Sequence, residues 1–148
     1  MALIFAHPFT CLVSGSTGSG KTEFIYRILK HVDTIIDPAP QRILWCYGAY
    51  QEKFASMSGI DFHEGLPDLS EFDGSRRTLL IIDDLMTETD QRVSKIFTKL
   101  SHHANTSVIY ITQNLFYGGK ENRTIMLNAQ YMVLFKNPRD ATQNFAFS

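Results

Sequence analysis

Residues 11–24 read CLVSGSTGSGKTEF, and this stretch decides how the rest of the chain folds. Within it, Gly15–Thr22 (GSTGSGKT) matches the phosphate-binding loop pattern G-x-x-x-x-G-K-[ST] at every fixed position. Glycines allow successive backbone N–H groups to turn inward around a polyphosphate. An apolar run precedes the loop and an amphipathic run follows it, which is the strand–loop–helix context that the pattern requires. The stretch therefore predicts a nucleotide site between a strand and a helix.

The residue types in the loop have separate predicted roles. The positive N-terminal end of the following helix would face the same phosphates as the loop. Lys21 is predicted to reach the β- and γ-phosphates of ATP, and the Thr22 hydroxyl is predicted to ligate Mg²⁺. The predicted cofactor-binding set is Gly15, Ser16, Thr17, Gly18, Ser19, Gly20, Lys21 and Thr22.

Length and composition place bounds on the function. A chain of 148 residues with 44% apolar and 20% charged residues is long enough for one domain with a single core. The formal net charge of −1 gives no global attraction for nucleic acid, so any DNA contact has to come from local basic patches. No apolar run approaches the roughly 18 residues of a membrane span, and we expect an intracellular protein without a membrane partner. Cys11 and Cys46 lie in apolar runs and are interpreted as buried packing residues, not as a disulfide.

Strand-like and helix-like patterns alternate along the chain. Strands are predicted over residues 9–14, 42–47, 78–82, 106–112 and 130–135. Helices are predicted over 22–32, over about 90–103 after a capping box at Thr87–Asp90, and over 121–128. Segment 49–72 reads as a short helix, an extended piece near 60–63 and loops. The alternation indicates a single α/β domain over residues 1–148, a RecA-like P-loop NTPase with a mostly parallel central sheet of about five strands flanked by helices.

A second motif, Leu79–Asp84 (LLIIDD), is an apolar run that ends in two carboxylates. A strand that ends at the active edge of the sheet would place Asp83 beside Mg²⁺ as a Walker-B-type ligand. Asp84 would then be positioned to orient or deprotonate the attacking water. Many hydrolysing P-loop proteins carry Glu at this second position, so the shorter side chain leaves open whether Asp84 acts alone or together with Glu88.

A third motif, Ile109–Asn114 (IYITQN), is an apolar strand that ends in amide side chains. P-loop NTPases with a strand inserted between the loop-bearing strand and the acidic strand place a polar sensor at such a position. An amide can hydrogen-bond both the γ-phosphate and the lytic water. Gln113 is the first candidate for this sensor, and Asn114 is the second.

Together these motifs resemble the viral genome-packaging ATPases of the FtsK–HerA superfamily, especially the poxvirus-like branch of large DNA viruses, virophages and Maverick/Polinton elements. The resemblance spans about residues 9–140 and is weakest over 48–76. It implies an enzyme that hydrolyses ATP with Mg²⁺, forms a homo-oligomeric ring, and drives double-stranded DNA into a preformed capsid. The implied partners are double-stranded DNA and a viral capsid or portal component, in the infected cell or the virion. The motifs on which this resemblance rests are Gly15–Thr22, Leu79–Asp84, Ile109–Phe116 (IYITQNLF) and Leu127–Asp140 (LNAQYMVLFKNPRD).

A ring motor needs an arginine that crosses the subunit interface to neutralise charge on the γ-phosphate. Arg123, just before the last predicted strand, is favoured as this finger and completes a catalytic set with Lys21, Asp84 and Gln113. The other candidates are Arg76, Arg77 and Arg139. The same arginines, with Lys120 and Lys136, form the predicted DNA-facing set, whose phosphate contacts would be sequence-independent and sensitive to salt.

Two other functions fit part of the pattern. A small-molecule kinase would need an acceptor site and an arginine-rich lid, and the sequence shows no convincing lid. A nucleotide-dependent assembly module would bind ATP without turnover. The chain also starts almost directly on the loop-bearing strand and stops at Ser148, so the expectation is a minimal ATPase core or a C-terminally shortened copy.

Overall fold

The structure is a computed structural model that describes residues 4–16, 18–85, 91–113 and 119–136. The strands are β1 (Phe5–Ala6), β2 (Thr10–Ser14), β3 (Ile36–Asp37), β4 (Arg42–Tyr47), β5 (Asp61–Glu64), β6 (Thr78–Asp83), β7 (Thr106–Thr112) and β8 (Tyr131–Leu134). The helices are α1 (Lys21–Lys30), α2 (Val32–Ile35), α3 (Arg92–His103) and α4 (Gly119–Asn128). Two 3-10 turns cover Glu52–Ser56 and Leu69–Glu71. Within the described ranges, no helix combines the length and apolar character needed to span a bilayer.

Six strands form one parallel sheet in the order β5-β4-β6-β7-β2-β8. Strand β7 lies between the loop-bearing strand β2 and the acidic strand β6, which is the inserted position that the amide-ended strand was expected to occupy. The predicted α/β fold with a mostly parallel sheet is confirmed. The sheet has six strands, in keeping with the predicted count of about five. The additional strand is β5 (DFHE), which coincides with the extended piece predicted near residues 60–63 and has one half-buried residue and three exposed ones, so it lacks an apolar run. Strands β1 and β3 form a separate two-stranded pair.

The sheet has an apolar layer on each face. In β6, Leu79 and Ile81 face one layer and Leu80 and Ile82 face the other, and all four are fully buried. This burial on both faces explains why the strand reads as a continuous apolar run. Helix α1 covers the first face with Ile25, Ile28 and Leu29. Helix α3 covers the second face with Val93, Ile96, Phe97 and Leu100.

Some element ends differ from the predictions. Helix α1 ends at Lys30, because the backbone of His31 leaves the helical region (φ −118°, ψ 25°), and α2 follows as a separate turn. The last strand is Tyr131–Leu134, one residue shorter at each end than predicted. Helix α4 confirms the helical pattern over 121–128 and starts two residues earlier. The predicted capping box Thr87–Asp90 lies outside the described residues.

Polar side chains at the amino edge of the sheet bind one another. Ser107 Oγ accepts a hydrogen bond from Phe9 N–H at 3.1 Å and lies 2.6 Å from His7 Nδ1. His7 Nε2 lies 2.9 Å from Asn105 Oδ1, so a proton on Nε2 satisfies every group in this chain of bonds. The Asn105 amide also donates to the Gly74 carbonyl at 3.3 Å. This network joins the starts of β2, β6 and β7.

Both cysteines are free and buried, as predicted. Burial raises the pKa of the Cys11 and Cys46 thiols to about 12. At neutral pH both thiols therefore stay protonated and act as apolar packing groups.

Candidate active site

The carboxyl ends of β2, β6 and β7 are tied together by backbone hydrogen bonds. The Gly15 N–H donates to the Thr112 carbonyl at 3.1 Å, and the Asp84 N–H donates to the Ile111 carbonyl at 2.9 Å. The end of β7 thus holds the start of the glycine-rich loop on one side and the acidic turn on the other. Gln113 directly follows β7 and lines the pocket together with residues of the loop and of the acidic turn.

The glycine-rich loop adopts conformations that its glycines make possible. Gly18 and Gly20 have φ values of 82° and 100°, in the left-handed region that side chains other than Gly disfavour. Gly20 is the N-cap residue of α1, so the loop passes directly into the helix N-terminus. A Cβ atom on Gly15 would lie 2.6 Å from Ser19 Oγ and 2.7 Å from Phe135 Cβ, which excludes any side chain there. Thr17 lies outside the described residues.

A pocket of about 580 Å³ lies over this edge of the sheet. It brings together residues from the loop, the acidic turn and the β7 end that are separated by up to 97 positions in sequence (16 to 113). Its lining residues are Ser16, Gly18, Gly20, Lys21, Thr22, Glu23, Gly48, Ala49, Gln51, Lys53, Asp83, Asp84 and Gln113. Gly15 and Ser19, also predicted to bind the cofactor, pack against each other in the loop.

The two carboxylates of the acidic turn have different environments. Asp83 is half-buried at the end of β6, and its Oδ2 accepts a hydrogen bond from Trp45 Nε1 at 3.2 Å. Burial raises the pKa of the Asp83 carboxyl, while the bond from Trp45 and the charges of Lys21 and Lys53 oppose that rise. Asp84 is exposed, and its φ of 55° puts a non-glycine residue in the left-handed region. This backbone turn separates the directions of two adjacent acidic residues.

Lys21 lies between the loop and the acidic turn. Its Nζ donates a hydrogen bond to the Gly15 carbonyl. Partial burial lowers the pKa of Lys21, and the negative charges of Asp84 and Asp83 act in the opposite direction. An incoming phosphate would give this ammonium group the negative partner that the loop carbonyl only partly supplies.

The donor set fits a magnesium nucleotide. Thr22 and Asp83 line the same pocket and offer hydroxyl and carboxylate oxygens, the ligand type that Mg²⁺ prefers. Among the described residues, no group of three or more His, Cys, Asp and Glu side chains could hold a metal alone. A magnesium ion here would therefore use phosphate oxygens and water as its remaining ligands. The buried Ser19 Oγ has no hydrogen-bond partner in the described part of the chain, so the loop retains an unused polar group.

Sequence reasoning missed one wall of the pocket and one residue behind it. The segment after β4 contributes Gly48, Ala49, Gln51 and Lys53, although residues 49–72 had been read without a functional assignment. Trp45 was assigned only to a strand. The available signal was the position of Gly48, which directly follows a strand whose carboxyl end meets that of β6 at the same edge of the sheet.

The arginine candidates that the structure describes do not line the pocket of their own chain. Arg123 is exposed on α4 and does not line the pocket. Arg76 and Arg77 precede β6 at the amino edge, where Arg77 Nε donates to the Ala39 carbonyl at 2.8 Å. A finger that acts on a neighbouring subunit need not approach its own pocket, so Arg123 stays a prediction. Arg139, Asn114 and Glu88 lie outside the described residues.

Comparison with known proteins supports the fold. No protein-family model and no curated protein sequence matches the chain. Among solved structures, the chain is similar to the ATPase DotB of Legionella pneumophila, with a TM-score of 0.52 and 12% identity over 92% of this chain. It spans only 37% of the length of DotB. It is also similar to the genome packaging NTPase B204 of Sulfolobus turreted icosahedral virus 2, solved with the ATP analogue AMPPCP, with a TM-score of 0.51 and 14% identity over 95% of this chain and 82% of that one. The chain has the P-loop NTPase fold.

Proposed function

We propose that this protein hydrolyses ATP with Mg²⁺ and uses the reaction to package double-stranded viral DNA into a capsid. The observation that carries the hydrolytic part is the shared pocket of Lys21, Asp83, Asp84 and Gln113 beside a glycine-rich loop at a helix N-terminus. A site that only bound nucleotide would have no need for a second carboxylate and an amide beside the γ-phosphate position. These four residues lie at or after the ends of three different strands, β2, β6 and β7, so the fold assembles them as a unit.

Each group has a defined task in this proposal. The loop amides and Lys21 bind the phosphates, and Thr22 and Asp83 hold the metal. Bound Mg²⁺ would neutralise charge that develops on the phosphate oxygens. Because Asp83 is anchored by Trp45, its carboxylate is fixed before nucleotide arrives. This preorganisation favours the transition state over the free substrate.

Asp84 and Gln113 act on the attacking water. Asp84 is exposed to the pocket and accepts a proton from the water, while the Gln113 amide orients that water toward the γ-phosphate. Neither side chain forms a hydrogen bond to another described residue, so both are available to substrate and water. Arg123 from a neighbouring subunit would add positive charge at the γ-phosphate.

The packaging role has two supports. The chain's motifs resemble those of FtsK–HerA packaging ATPases, and its fold is similar over nearly its whole length to a viral genome packaging NTPase. Lys120, Arg123 and Lys136 are exposed and supply the basic groups proposed to face DNA phosphates. A homo-oligomeric ring with a capsid or portal partner, within the infected cell or virion, completes the proposal.

Steady-state phosphate release, measured with and without linear double-stranded DNA, tests the proposal. The expected result is Mg²⁺-dependent turnover that DNA stimulates, together with ring formation in ATP and Mg²⁺ by light scattering. Asp84→Asn should bind ATP like the wild type and lose turnover by about 10²-fold or more, because it removes a general base. Equal ATP binding without hydrolysis in both proteins would instead indicate a nucleotide-dependent assembly module. Phosphate transfer to a small acceptor by a monomer that ignores DNA would indicate a kinase.

A further inference from the structure

Trp45 is buried directly behind the acidic turn. It lies on β4, the parallel neighbour of β6, and the register pairs Trp45 with Ile81 and Tyr47 with Asp83. Trp45 is therefore two residues earlier along the sheet than the carboxylate, close enough for its indole Nε1 to donate to Asp83 Oδ2 at 3.2 Å. The side chain has no exposed surface and does not line the pocket.

Aromatic neighbours hold the indole in one orientation. Its ring lies 5.3 Å from the ring of Phe54 and 5.8 Å from that of Phe62, centroid to centroid. Phe54 and Phe62 stack on each other at 4.6 Å. A packed indole cannot turn its N–H elsewhere without opening this cluster, and the N–H is a donor with no acceptor function. A buried donor that is left unbonded destabilises the fold, so the bond to Asp83 is strongly favoured.

We propose that Trp45 is a positioning residue that orients the Asp83 carboxylate for Mg²⁺, an inference that rests on the proposed ATPase function. The indole N–H binds Oδ2 and sets the carboxylate rotamer, so that Oδ1 is presented to the metal in the same orientation in every nucleotide cycle. Partners that orient metal ligands in this way typically change metal affinity or activity by about 10–100-fold when they are removed. Trp45 is also the single tryptophan of the chain and contacts Asp83 directly, so its emission should report on metal ligation by Asp83.

The decisive experiment varies the donor at position 45 and measures the Mg²⁺ requirement. Trp45→Phe removes the N–H and keeps an aromatic ring. Replacement of Trp45 by β-(3-benzothienyl)alanine keeps the shape of the indole and exchanges the N–H for sulfur. Both proteins should need about 10-fold more Mg²⁺ than wild type for half-maximal ATP hydrolysis, with a smaller change in the ATP concentration needed at saturating Mg²⁺.

Phe62→Leu is the matched control, because it loosens the same aromatic cluster and leaves the indole N–H in place. It should lower the melting temperature without shifting the Mg²⁺ requirement. Two readouts are independent of turnover. Mg²⁺-dependent binding of a fluorescent ADP derivative should show the same 10-fold shift in both position-45 variants. Wild-type tryptophan emission should change saturably with Mg²⁺ in the presence of ADP, and this response should be lost in Asp83→Asn.

The outcomes separate this proposal from the function on which it rests. A shift in both position-45 variants and none in Phe62→Leu supports the positioning role. A normal Mg²⁺ requirement in either position-45 variant, in a wild type that binds and hydrolyses Mg²⁺-ATP, overturns the role and leaves the proposed function intact. A shift in Trp45→Phe alone assigns the effect to packing and also overturns it. Wild type without any Mg²⁺-dependent nucleotide binding overturns both proposals.

Discussion

The amino and carboxyl edges of the six-stranded sheet are both polar, but they use their polar side chains in different ways. At the amino edge, His7, Asn105 and Ser107 bind one another and the neighbouring backbone. At the carboxyl edge, Thr22, Asp84 and Gln113 line a pocket and form no side-chain hydrogen bond to another described residue. Polar groups that satisfy one another fix the strands, whereas groups directed at a cavity are available to a ligand. Variants at the amino edge should therefore change stability, and variants at the carboxyl edge should change turnover.

The largest expected effect is that of Lys21→Ala. Loss of the ammonium group that is proposed to bind phosphate should lower kcat/KM for ATP by about 10³-fold, because no other described group would supply a preorganised positive charge at that position. Thermal stability should stay close to that of wild type, since a partly desolvated charge is removed. Lys30→Ala, at the exposed other end of α1, is the control and should hydrolyse ATP normally. A Lys21→Ala protein with a lowered melting temperature and normal turnover would contradict the contrast between the amino and carboxyl edges of the sheet.

The next largest effect is expected for Gln113→Ala. Removal of the amide that is proposed to orient water should lower kcat by about 10²-fold and leave ATP binding unchanged, because such a group would act in the transition state. Since Gln113 is exposed, we expect no loss of stability. Single-turnover kinetics with a separate nucleotide-binding measurement would check both parts. Weakened binding with normal kcat would assign Gln113 to ground-state recognition instead.

Asn105→Ala is the counterpart at the amino edge. Asn105 combines a left-handed φ of 52° with hydrogen bonds to His7 and Gly74, so the change should lower the free energy of unfolding by about 2–3 kcal/mol. Asn105→Gly keeps the backbone conformation and should lose less stability than Asn105→Ala. Chemical denaturation measures both variants. At temperatures where both variants are folded, their kcat should equal that of wild type. A fall in kcat would show that the amino edge also affects turnover and would contradict the difference proposed between the two edges.

The smallest effect should be a gain in stability at the active edge. Burial raises the pKa of Asp83, so the folded chain holds this proton more tightly than the unfolded chain does. The carboxylate therefore destabilises the fold at pH values above the raised pKa and has no such effect below the ordinary Asp value. Asp83→Asn should raise the melting temperature of the ligand-free protein by about 2–4 °C near pH 8. The gain should shrink as pH falls toward the ordinary carboxyl range, and Asp84→Asn, which changes an exposed group, should show no comparable gain.

Local sequence patterns predicted the elements that bury apolar runs. The strand 106–112 and the strand that ends at Asp83 are predicted directly by their continuous runs of apolar residues. The glycine-rich loop is predicted by a sequence pattern that few other structures require. Strand β5 could be predicted only as a short extended piece near residues 60–63, because its outer position in the sheet leaves most of its side chains in water. The positions of Lys53 in the pocket wall and of Trp45 behind Asp83 could not be predicted, because they arise when β4 lies beside β6 and strand order is not encoded in any local window. The sequence thus predicted the pocket-lining motifs better than the residues that surround them.

The packing of Phe135 against the glycine-rich loop has a consequence for how the protein acquires its shape during synthesis. The Phe135 N–H donates to the Ser14 carbonyl at 2.8 Å, its Cβ lies where a side chain on Gly15 would be, and its ring meets that of Phe24 at 5.5 Å. Gly15 is translated 120 residues before Phe135. During synthesis the glycine-rich loop is therefore present long before Phe135, the residue that packs against it in the folded protein. Nucleotide should bind to ribosome-tethered chains only after residue 135 has left the exit tunnel.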